Sequence, residues 1–366
     1  MSLRFHPFKP FPMFLKKFSM LPSRLLTSSL CSTANFIPKI STFESPPSSP
    51  TPLIIHQFPC LTDNYGFILH SPITKETAAI DVPHAPSYLN VLRKKNYTLT
   101  HILNTHWHAD HMQGNQALRE EFDNVITYGP PECKERDYQV TTIKGSPTPI
   151  EFGSTKMFVL DTPGHTLEHI SYYVPSLSTA FVGDTIFSMG CGRMFEGNPT
   201  MFVESINRIK SLPDRWARKK KIGRCEASEA ELSGGFCSSE KGDFKFNFVS
   251  LGRMYPNSMA LFSILFSSQH STLLFCAHEY TKDNAEFALC VEPTNEDLAT
   301  RSAEINKLRE DNQPTVPTSL ELEKKTNPFM RLHLQTVQEA VSSGWKNEDE
   351  IFKLLRKKKD DWNSNK

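Results

Sequence analysis

Acidic residues are missing from the first 43 positions of this chain, where the first aspartate or glutamate is Glu44. The same stretch carries six lysines and arginines and several serines, but it lacks the compact apolar core of a secretory signal. A basic, serine-bearing segment without acids is typical of an organelle transit peptide. We therefore expect residues 1–43 to direct the chain to the mitochondrion, with plastid import or a cytoplasmic location less favoured. A basic tail without a targeting role is the alternative interpretation.

Closely paired cysteines and long apolar runs are also absent. The eight cysteines form no CxxC pair and no dense framework, so neither a disulfide scaffold nor a cysteine-based zinc site is predicted. No uninterrupted apolar stretch approaches the length that spans a bilayer. The formal net charge of +1 gives no global reason to expect nucleic acid or an anionic membrane as a partner. We expect a soluble monomer that acts on a small molecule.

The pattern of apolar residues divides the remaining chain into three parts. Residues 44–52 are rich in proline, which disfavours regular hydrogen-bonded structure and predicts a linker. Over residues 53–292, short apolar runs alternate with turns and helical segments, which predicts a layered α/β domain. Residues 293–366 have an almost wholly helical pattern and predict a C-terminal helical region.

One segment, about residues 215–270, interrupts a helix and a strand that a short turn would otherwise join. It opens with the basic run 218–221 and ends in phenylalanines, methionines and leucines. Loops of this length are unusual inside a compact domain. We expect either a surface loop or translated intron sequence, and a transcript containing the full segment would exclude the second.

The strongest chemical signal is the run from Thr105 to His111, which directly follows a predicted buried strand at His101–Asn104. Four potential metal ligands fall within six residues: His106, His108, Asp110 and His111. Side chains two apart on an extended chain project to the same side, so His106 and His108 can share one metal ion. Asp110 and His111, where the chain turns into a helix, can face a second position.

Three more segments place a polar side chain at the end of a predicted strand. They are the turn containing His165, the strand end at Asp184 and the strand end at His278. Groups at strand ends converge on one edge of an α/β sheet, where functional sites are usually built. The sequence therefore predicts a single metal-binding edge assembled from four strand ends.

These motifs, THWHADH, TPGHT, GDT and the late histidine, resemble the metallo-β-lactamase superfamily over about residues 53–214 and 271–362. The resemblance implies an αββα sandwich with two divalent metal ions in a cleft at the sheet edges. By the same resemblance, His106, His108 and His165 hold the first ion. Asp110, His111 and His278 hold the second, and Asp184 bridges them. Zinc, iron or manganese all tolerate such ligands.

Finer features resemble one family of that superfamily, glyoxalase II, the hydroxyacylglutathione hydrolases. They are Gly190–Gly197, the HEYT stretch from His278, the NPFMR stretch from Asn327 and the final RKKKD. The resemblance implies a helical substrate-binding region and hydrolysis of S-(2-hydroxyacyl)glutathione by a metal-activated hydroxide, with Asp110 and Asp184 as catalytic residues. The implied substrate contacts are Arg193, Phe195, Tyr280, Arg356 and Lys359. Some members have tyrosine where Phe195 stands, so one hydroxyl contact is expected to be missing.

Three alternatives remain open from the sequence. A sulfur dioxygenase of the same superfamily uses one iron and glutathione persulfide, but it lacks the HEYT stretch and the helical tail. A metal-binding protein without catalysis is expected if the insertion disrupts the site. A nuclease is disfavoured, because the chain has no net basic charge or basic stripe.

Overall fold

Two β-sheets packed face to face form the centre of the fold in the computed structural model, which describes residues 40–45, 49, 51–145, 149–213 and 271–364. The first sheet has seven strands in the order β1 to β7. Their bounds are β1 Ser41–Glu44, β2 Ile54–Pro59, β3 Tyr65–His70, β4 Thr77–Ile80, β5 His101–Leu103, β6 Ile126–Gly129 and β7 Val140–Thr142. The strands are antiparallel up to β4 and parallel from β4 to β7.

The second sheet has six strands in the order β15-β14-β11-β10-β9-β8. Their bounds are β8 Ile150–Phe152, β9 Thr155–Asp161, β10 Ile170–Val174, β11 Thr179–Gly183, β14 Leu273–Cys276 and β15 Thr318–Ser319. A small ribbon joins β12 Ile186–Phe187 to β13 Gly190–Cys191. Strands β11 and β14 run parallel, so Asp184 and His278 emerge from the same end of neighbouring strands.

Helices cover both outer faces of the two sheets. Their bounds are α1 Ala85–Lys95, α2 Ala109–Met112, α3 Asn115–Glu121, α4 Pro131–Arg136, α5 Pro199–Lys210, α6 Thr281–Val291, α7 Glu296–Glu310, α8 Leu320–Thr326, α9 Gln335–Val341 and α10 Glu348–Ser364. Two 3₁₀ turns lie at Pro175–Leu177 and Pro328–Met330. Local signals start several of these helices: the Asn198 side chain caps α5 ahead of Pro199, and Asn295 caps α7.

Apolar burial explains the layering. One cluster fills the space between the sheets and includes Phe67 and Phe181, and it continues to Phe202 of α5 and Phe352 of α10. A second cluster packs α1, through Tyr88 and neighbouring side chains, on the other face of the first sheet. The expected αββα sandwich with a C-terminal helical region is therefore confirmed, and the last helix shares the main core with the sandwich.

Two local features differ from the sequence predictions. The helical pattern of Met112–Phe122 predicts a single helix, but the structure has α2 and α3 on either side of Gly114. The Gly114 backbone N–H donates to Val82 O at 3.0 Å, and a Cβ there would collide with Val82. The chain therefore bends at Gly114 to pack closely against the end of β4.

The boundary between leader and linker also differs from the prediction. Residues 41–43 were assigned to the leader, and Glu44 to the linker, but all four residues form β1, paired with β2. The Phe43 ring packs edge-on against Phe275 at 5.3 Å between centroids, and this apolar contact accounts for the strand. The rest of the predicted leader, residues 1–39, lies outside the described residues.

The predicted insertion, about residues 215–270, also lies outside the described residues. The structure does locate the two ends of the chain that flank it. The backbone N–H and the hydroxyl of Thr272 both donate to Pro213 O, at 3.2 and 2.6 Å. The end of α5 and the start of β14 therefore lie next to each other, as the sequence pattern on either side predicted.

Candidate metal centre

Seven potential metal ligands meet at one edge of the sandwich, and each follows a strand. They are His106, His108, Asp110 and His111 after β5, His165 after β9, Asp184 after β11 and His278 after β14. The two sheets are tied together beside them, because Ile170 N–H donates to Thr105 O and the Tyr172 hydroxyl donates to Asn104 O. All seven residues predicted from the sequence as ligands therefore come together in space.

The first group consists of three histidines. His108 Nδ1 lies 3.0 Å from both His106 Nε2 and His165 Nε2. The three ligand nitrogens lie within 4.8 Å of one another, a spacing that suits one metal ion. His165 is oriented from behind by the Arg193 carbonyl, which lies 2.7 Å from His165 Nδ1.

The second group consists of Asp110, His111 and His278, whose ligand atoms also lie within 4.8 Å of one another. The Asp110 Oδ2 atom lies 3.6 Å from His111 Nε2 and 3.5 Å from His278 Nε2. Its carboxylate is 41% exposed, whereas both imidazoles are buried. Asp110 is therefore the ligand of this group that faces the open side of the cleft.

Asp184 lies between the two groups. Its Oδ1 atom is 3.4 Å from both His111 Nε2 and His278 Nε2, and its Oδ2 atom is 3.4 Å from His165 Nε2. One carboxylate thus faces ligands of both groups with different oxygens. Buried polar atoms normally find a hydrogen-bond partner, but Asp184 Oδ1 and His111 Nε2 have none among the described residues. The arrangement fits a pair of divalent cations, which such atoms would ligate.

The histidines of the site differ in the direction in which their surroundings shift their pKa values. Burial lowers the pKa of His106 well below its usual value, and neighbouring histidines lower it further, so this imidazole is held in its neutral, ligating form. Burial opposes protonation of His278 too, but the Asp184 carboxylate and the hydrogen bond that His278 donates to Asp63 raise the pKa of His278 to about 10. His278 therefore gives up a proton when a cation binds.

A layer of supporting side chains fixes the ligands, and most of it was missed by sequence reasoning. Asp81 accepts from Thr105 N, from the Thr105 hydroxyl at 2.9 Å and from His111 Nδ1 at 2.9 Å. The Asp63 carboxylate lies 2.7 Å from His278 Nδ1, and Asn64 donates to Asp110 Oδ2 at 3.1 Å. Asp81 ends a buried strand, the same signal that marked Asp184. Asp63 and Asn64 lie in a turn that carries no such signal.

His169, which the sequence motifs leave outside the ligand set, lies in the core directly behind the ligands. It is fully buried, its Nε2 accepts from the Asp184 backbone N–H at 3.1 Å, and its Nδ1 lies between the hydroxyls of Thr162 and Thr185. Gly183 has φ of 48°, and a Cβ there would lie 2.6 Å from His169 Nε2. Glycine before Asp184 thus lets the strand end turn the carboxylate toward the metals.

Three of the predicted substrate contacts line the mouth of this centre. The Phe195 ring is 61% exposed and lies edge-on to His108 and His165, at 5.6 and 5.2 Å between centroids. The Tyr280 ring stacks on His278 at 4.8 Å, with 37% of the residue exposed. Arg193 is 57% exposed in its side chain, with Nε 3.8 Å from Asp360 Oδ1. All three are accessible to a ligand.

The other two predicted contacts, Arg356 and Lys359, are buried on α10. Arg356 donates to Cys191 O and to Asp360 Oδ1, both at 3.0 Å. Lys359 donates to Asp283 O at 3.0 Å and lies over the Trp362 ring at 4.2 Å. Arg356 thus joins α10 to Cys191, and Lys359 joins α10 to α6. Contact of either side chain with a substrate stays a prediction.

Comparisons with known proteins agree with this geometry. The profile of the metallo-beta-lactamase superfamily matches residues 72–216, and that of the hydroxyacylglutathione hydrolase C-terminus matches residues 279–362. A hydroxyacylglutathione hydrolase of Erythrobacter litoralis is 36% identical over 85% of this chain and 100% of its own length. One of Hyphomonas neptunium is 37% identical over 84% of this chain and 97% of its own length.

A more distant likeness exists among solved structures. The structure of ETHE1 from Myxococcus xanthus has 19% sequence identity and a TM-score of 0.44, covering 81% of this chain and 93% of that chain. The C-terminal match at residues 279–362 begins at the second residue of the HEYT stretch and contains the helical tail. These are the features that separated the hydrolase from the dioxygenase interpretation. The chain belongs to the hydroxyacylglutathione hydrolase family of the metallo-β-lactamase superfamily.

Proposed function

We propose that this chain is a glyoxalase II that hydrolyses S-(2-hydroxyacyl)glutathione thioesters, with S-D-lactoylglutathione giving D-lactate and glutathione in methylglyoxal detoxification. The observation that carries the proposal is Asp184, whose two oxygens face ligands of both groups in a chain of the hydroxyacylglutathione hydrolase family. A single centre of this kind suits hydrolysis of an ester or thioester without a protein nucleophile.

Two divalent ions are the proposed cofactors, held as the sequence resemblance implied. His106, His108 and His165 would bind the first, Asp110, His111 and His278 the second, and Asp184 both. We propose zinc, with iron or manganese in one or both positions, because imidazole and carboxylate ligands suit all three. Bound there, the ions would lower the pKa of water and polarise the thioester carbonyl.

The chain's own residues would position the reactants. The Asp110 carboxylate is partly exposed, and Asn64 donates to its Oδ2, so it can orient the attacking water as well as bind metal. Asp184 is fixed by the hydrogen bond from its own N–H to His169. Glutathione thiolate is a good leaving group, so no side chain needs to act as a strong acid.

The glutathione moiety has two carboxylates, which require cationic and hydrogen-bonding partners. Arg193 and Tyr280 would supply them, and the support is that both side chains are partly exposed next to metal ligands in the chain or in space. Burial raises the pKa of the Tyr280 hydroxyl, which therefore stays protonated as a donor. Phe195 adds an apolar contact, and Arg356 and Lys359 are the further cations that we assign to this side.

We also propose that the protein is a monomer imported into the mitochondrion. The support is the acid-free, basic stretch 1–43, and plastid or cytoplasmic locations are the less favoured alternatives. Among the described residues, none of the helices is both long and apolar enough to cross a membrane. A small glutathione thioester is the only partner that the proposal requires, without nucleic acid or membrane.

The deciding experiment follows loss of thioester absorbance with S-D-lactoylglutathione while the metal content is measured. We expect two bound metals in the wild-type chain, and a loss of activity of at least about 10³-fold in Asp184→Asn, which keeps the side-chain size. Glu151→Gln, an exposed carboxylate on β8, is the matched control and should retain full activity.

Two results would contradict the proposal. A folded protein with two metals but no turnover would exclude this substrate and make glutathione persulfide the next to test. Full activity in Asp184→Asn would exclude a centre bridged by that carboxylate.

A further inference from the structure

A groove of 590 Å³ opens beside the candidate metal centre, and Arg193 is not among the residues that line it. Its walls include Trp107, Arg136, Leu167, Glu132, Glu168 and Glu196. The volume is in the range of small-molecule sites. None of these residues belongs to the ligand set or to the substrate contacts proposed above.

The groove begins at a metal ligand. The Trp107 ring lies edge-on to His108, with 4.6 Å between ring centroids. On the other wall, Leu167 and Glu168 follow the ligand His165 in sequence, and Leu167 N–H donates to Glu196 Oε2 at 3.1 Å. A group bound over the metals would therefore extend directly into the groove.

Trp107 and Leu167 are two apolar side chains in the lining of the groove, and Trp107 is held in place by a charged neighbour. The Arg136 guanidinium lies over the Trp107 ring at 3.6 Å, a stacking geometry that fixes the plane of the indole. Leu167 is 47% exposed although it is a large apolar side chain. The indole and the exposed leucine, which both line the groove, suit a flat or branched hydrocarbon group.

The rim of the groove is acidic. Four carboxylates line it, those of Glu132, Glu135, Glu168 and Glu196, against the two cations Arg136 and Lys144. Lys144 is paired with Glu168 at 3.3 Å. The Glu132 Oε2 atom is buried without a hydrogen-bond partner among the described residues. This surplus of negative charge disfavours a ligand group that carries a carboxylate.

One loop separates this acidic groove from the cationic side of the centre. Arg193 lies beside Asp360, Phe195 lies over His108 and His165, and Glu196 reaches the groove wall. Gly192 allows this course, since a Cβ there would lie 3.0 Å from His165 Nδ1. A thioester over Phe195 would thus place its glutathione carboxylates toward Arg193 and its acyl group toward Trp107.

We propose that the groove beside Trp107 binds the acyl substituent of the thioester, and that it selects uncharged, bulky or aromatic 2-hydroxyacyl groups over acyl groups with a carboxylate. The proposal rests on the function proposed above and specifies its substrate class. Trp107 supplies the contact surface, Arg136 fixes the orientation of Trp107, and the glutamates supply the discrimination against negative charge.

The first test compares glutathione thioesters of lactate and of mandelate, which differ by a methyl and a phenyl group, on the full metal-loaded chain. In Trp107→Ala, kcat/KM for the mandelate thioester should fall at least about tenfold, the usual value of an apolar contact in a pocket. The lactate thioester should lose no more than about threefold, because its methyl group covers little of the indole. Trp107→Phe should restore most of the mandelate activity.

Tyr138→Ala is the matched control, because Tyr138 is an aromatic residue near the groove that is 83% exposed and does not line it. Equal losses on both thioesters would overturn the proposal, since Trp107 would then only support His108. Unchanged activity on both would overturn it as well. Wild-type protein that binds two metals and hydrolyses neither thioester would instead defeat the proposed function itself.

The second test addresses the charge of the rim. Glu135→Lys reverses an exposed charge that touches no ligand, and it should raise kcat/KM for the succinate thioester about threefold relative to the lactate thioester at low salt. Glu151→Lys, on β8 and outside the groove, should leave the ratio unchanged. A ratio that does not move in Glu135→Lys would overturn the charge selection.

Discussion

The metal-binding edge and the cationic side of the same cleft differ in how the chain supplies them. Each metal ligand follows a strand by one to eight residues, at the edge where the sheets meet. Arg356 and Lys359 instead sit on α10, the last helix, which reaches the cleft region only by packing Phe352 and Leu355 into the main core. Arg193 belongs to neither group, because it lies on the loop between them.

This difference shows two ways of building one site. Strand ends are fixed by backbone hydrogen bonds within the sheet, so a ligand there needs only the right residue type at the right position. A cation on a docked helix needs the helix to pack first, and much of its polar capacity is already used by protein partners. In Arg356 those partners are Cys191 O and Asp360.

A change behind the metal edge should have the largest effect. Asp81→Asn removes the charge that orients His111 and Thr105 but removes no ligand. We expect metal affinity to fall about 10- to 100-fold, the usual consequence of losing an outer partner of a ligating histidine. Competition with a chelator would measure it, with Glu151→Gln as control. Unchanged affinity would show that the strand end alone fixes His111.

A substitution of Arg356 on α10 should lower the free energy of unfolding more than a substitution of Arg193 on the loop after β13. Arg356→Met removes buried hydrogen bonds, and we expect the free energy of unfolding to fall by about 1–3 kcal/mol. Arg193→Met should cost less than about 0.5 kcal/mol, because the side chain is 57% exposed, and should raise KM instead. Urea unfolding and steady-state kinetics on both variants distinguish them. Equal stability of the two variants would mean that Arg356 is not a structural part of α10 packing.

The groove beside the metal edge should give a smaller, pH-dependent effect. Burial, and then the Glu196 carboxylate, raises the pKa of Glu132 to about 7, with Glu168 adding and Arg136 opposing. A raised carboxyl pKa favours folding at low pH, and this contribution is lost as the pH rises from about 4.5 through about 7. The urea midpoint of Glu132→Gln should therefore fall less than that of the wild type between pH 5 and pH 8. If the urea midpoints of the two proteins change equally with pH, the Glu132 carboxyl group is solvated as in water and the prediction is wrong.

Removing the insertion should have the smallest effect on either region. Pro213 and Thr272 are hydrogen-bonded to each other, so a variant lacking residues 216–268 can close with a short turn. Shortening a loop lowers the entropy cost of closing it, and metal content and thioesterase activity should stay within about twofold of the full chain. Failure of this variant to fold would show that the segment is part of the fold.

Most strands and the ligand set could be predicted because both depend on local patterns. The apolar run Thr77–Ile80 predicts a strand and the helical spacing of Pro86–Lys95 predicts a helix, and both lie at or within one residue of the observed bounds. Short elements such as β7, β8 and α4 were missed, since three to six residues carry too little periodicity. Asp81 was read as the end of a strand, and its role became visible only through its contact with His111.

By itself, the sequence predicted a layered α/β domain and seven potential metal ligands at strand ends, because both depend on periodicity and on local residue types. The αββα arrangement and the family were implied by the resemblance of its motifs. The tertiary structure alone decided that Arg356 and Lys359 are buried and that Trp107 and Arg136 stack beside His108. The physical reason is that local spacing sets which way a side chain leaves its own strand. Its contacts depend on elements far away in sequence, which only packing brings close.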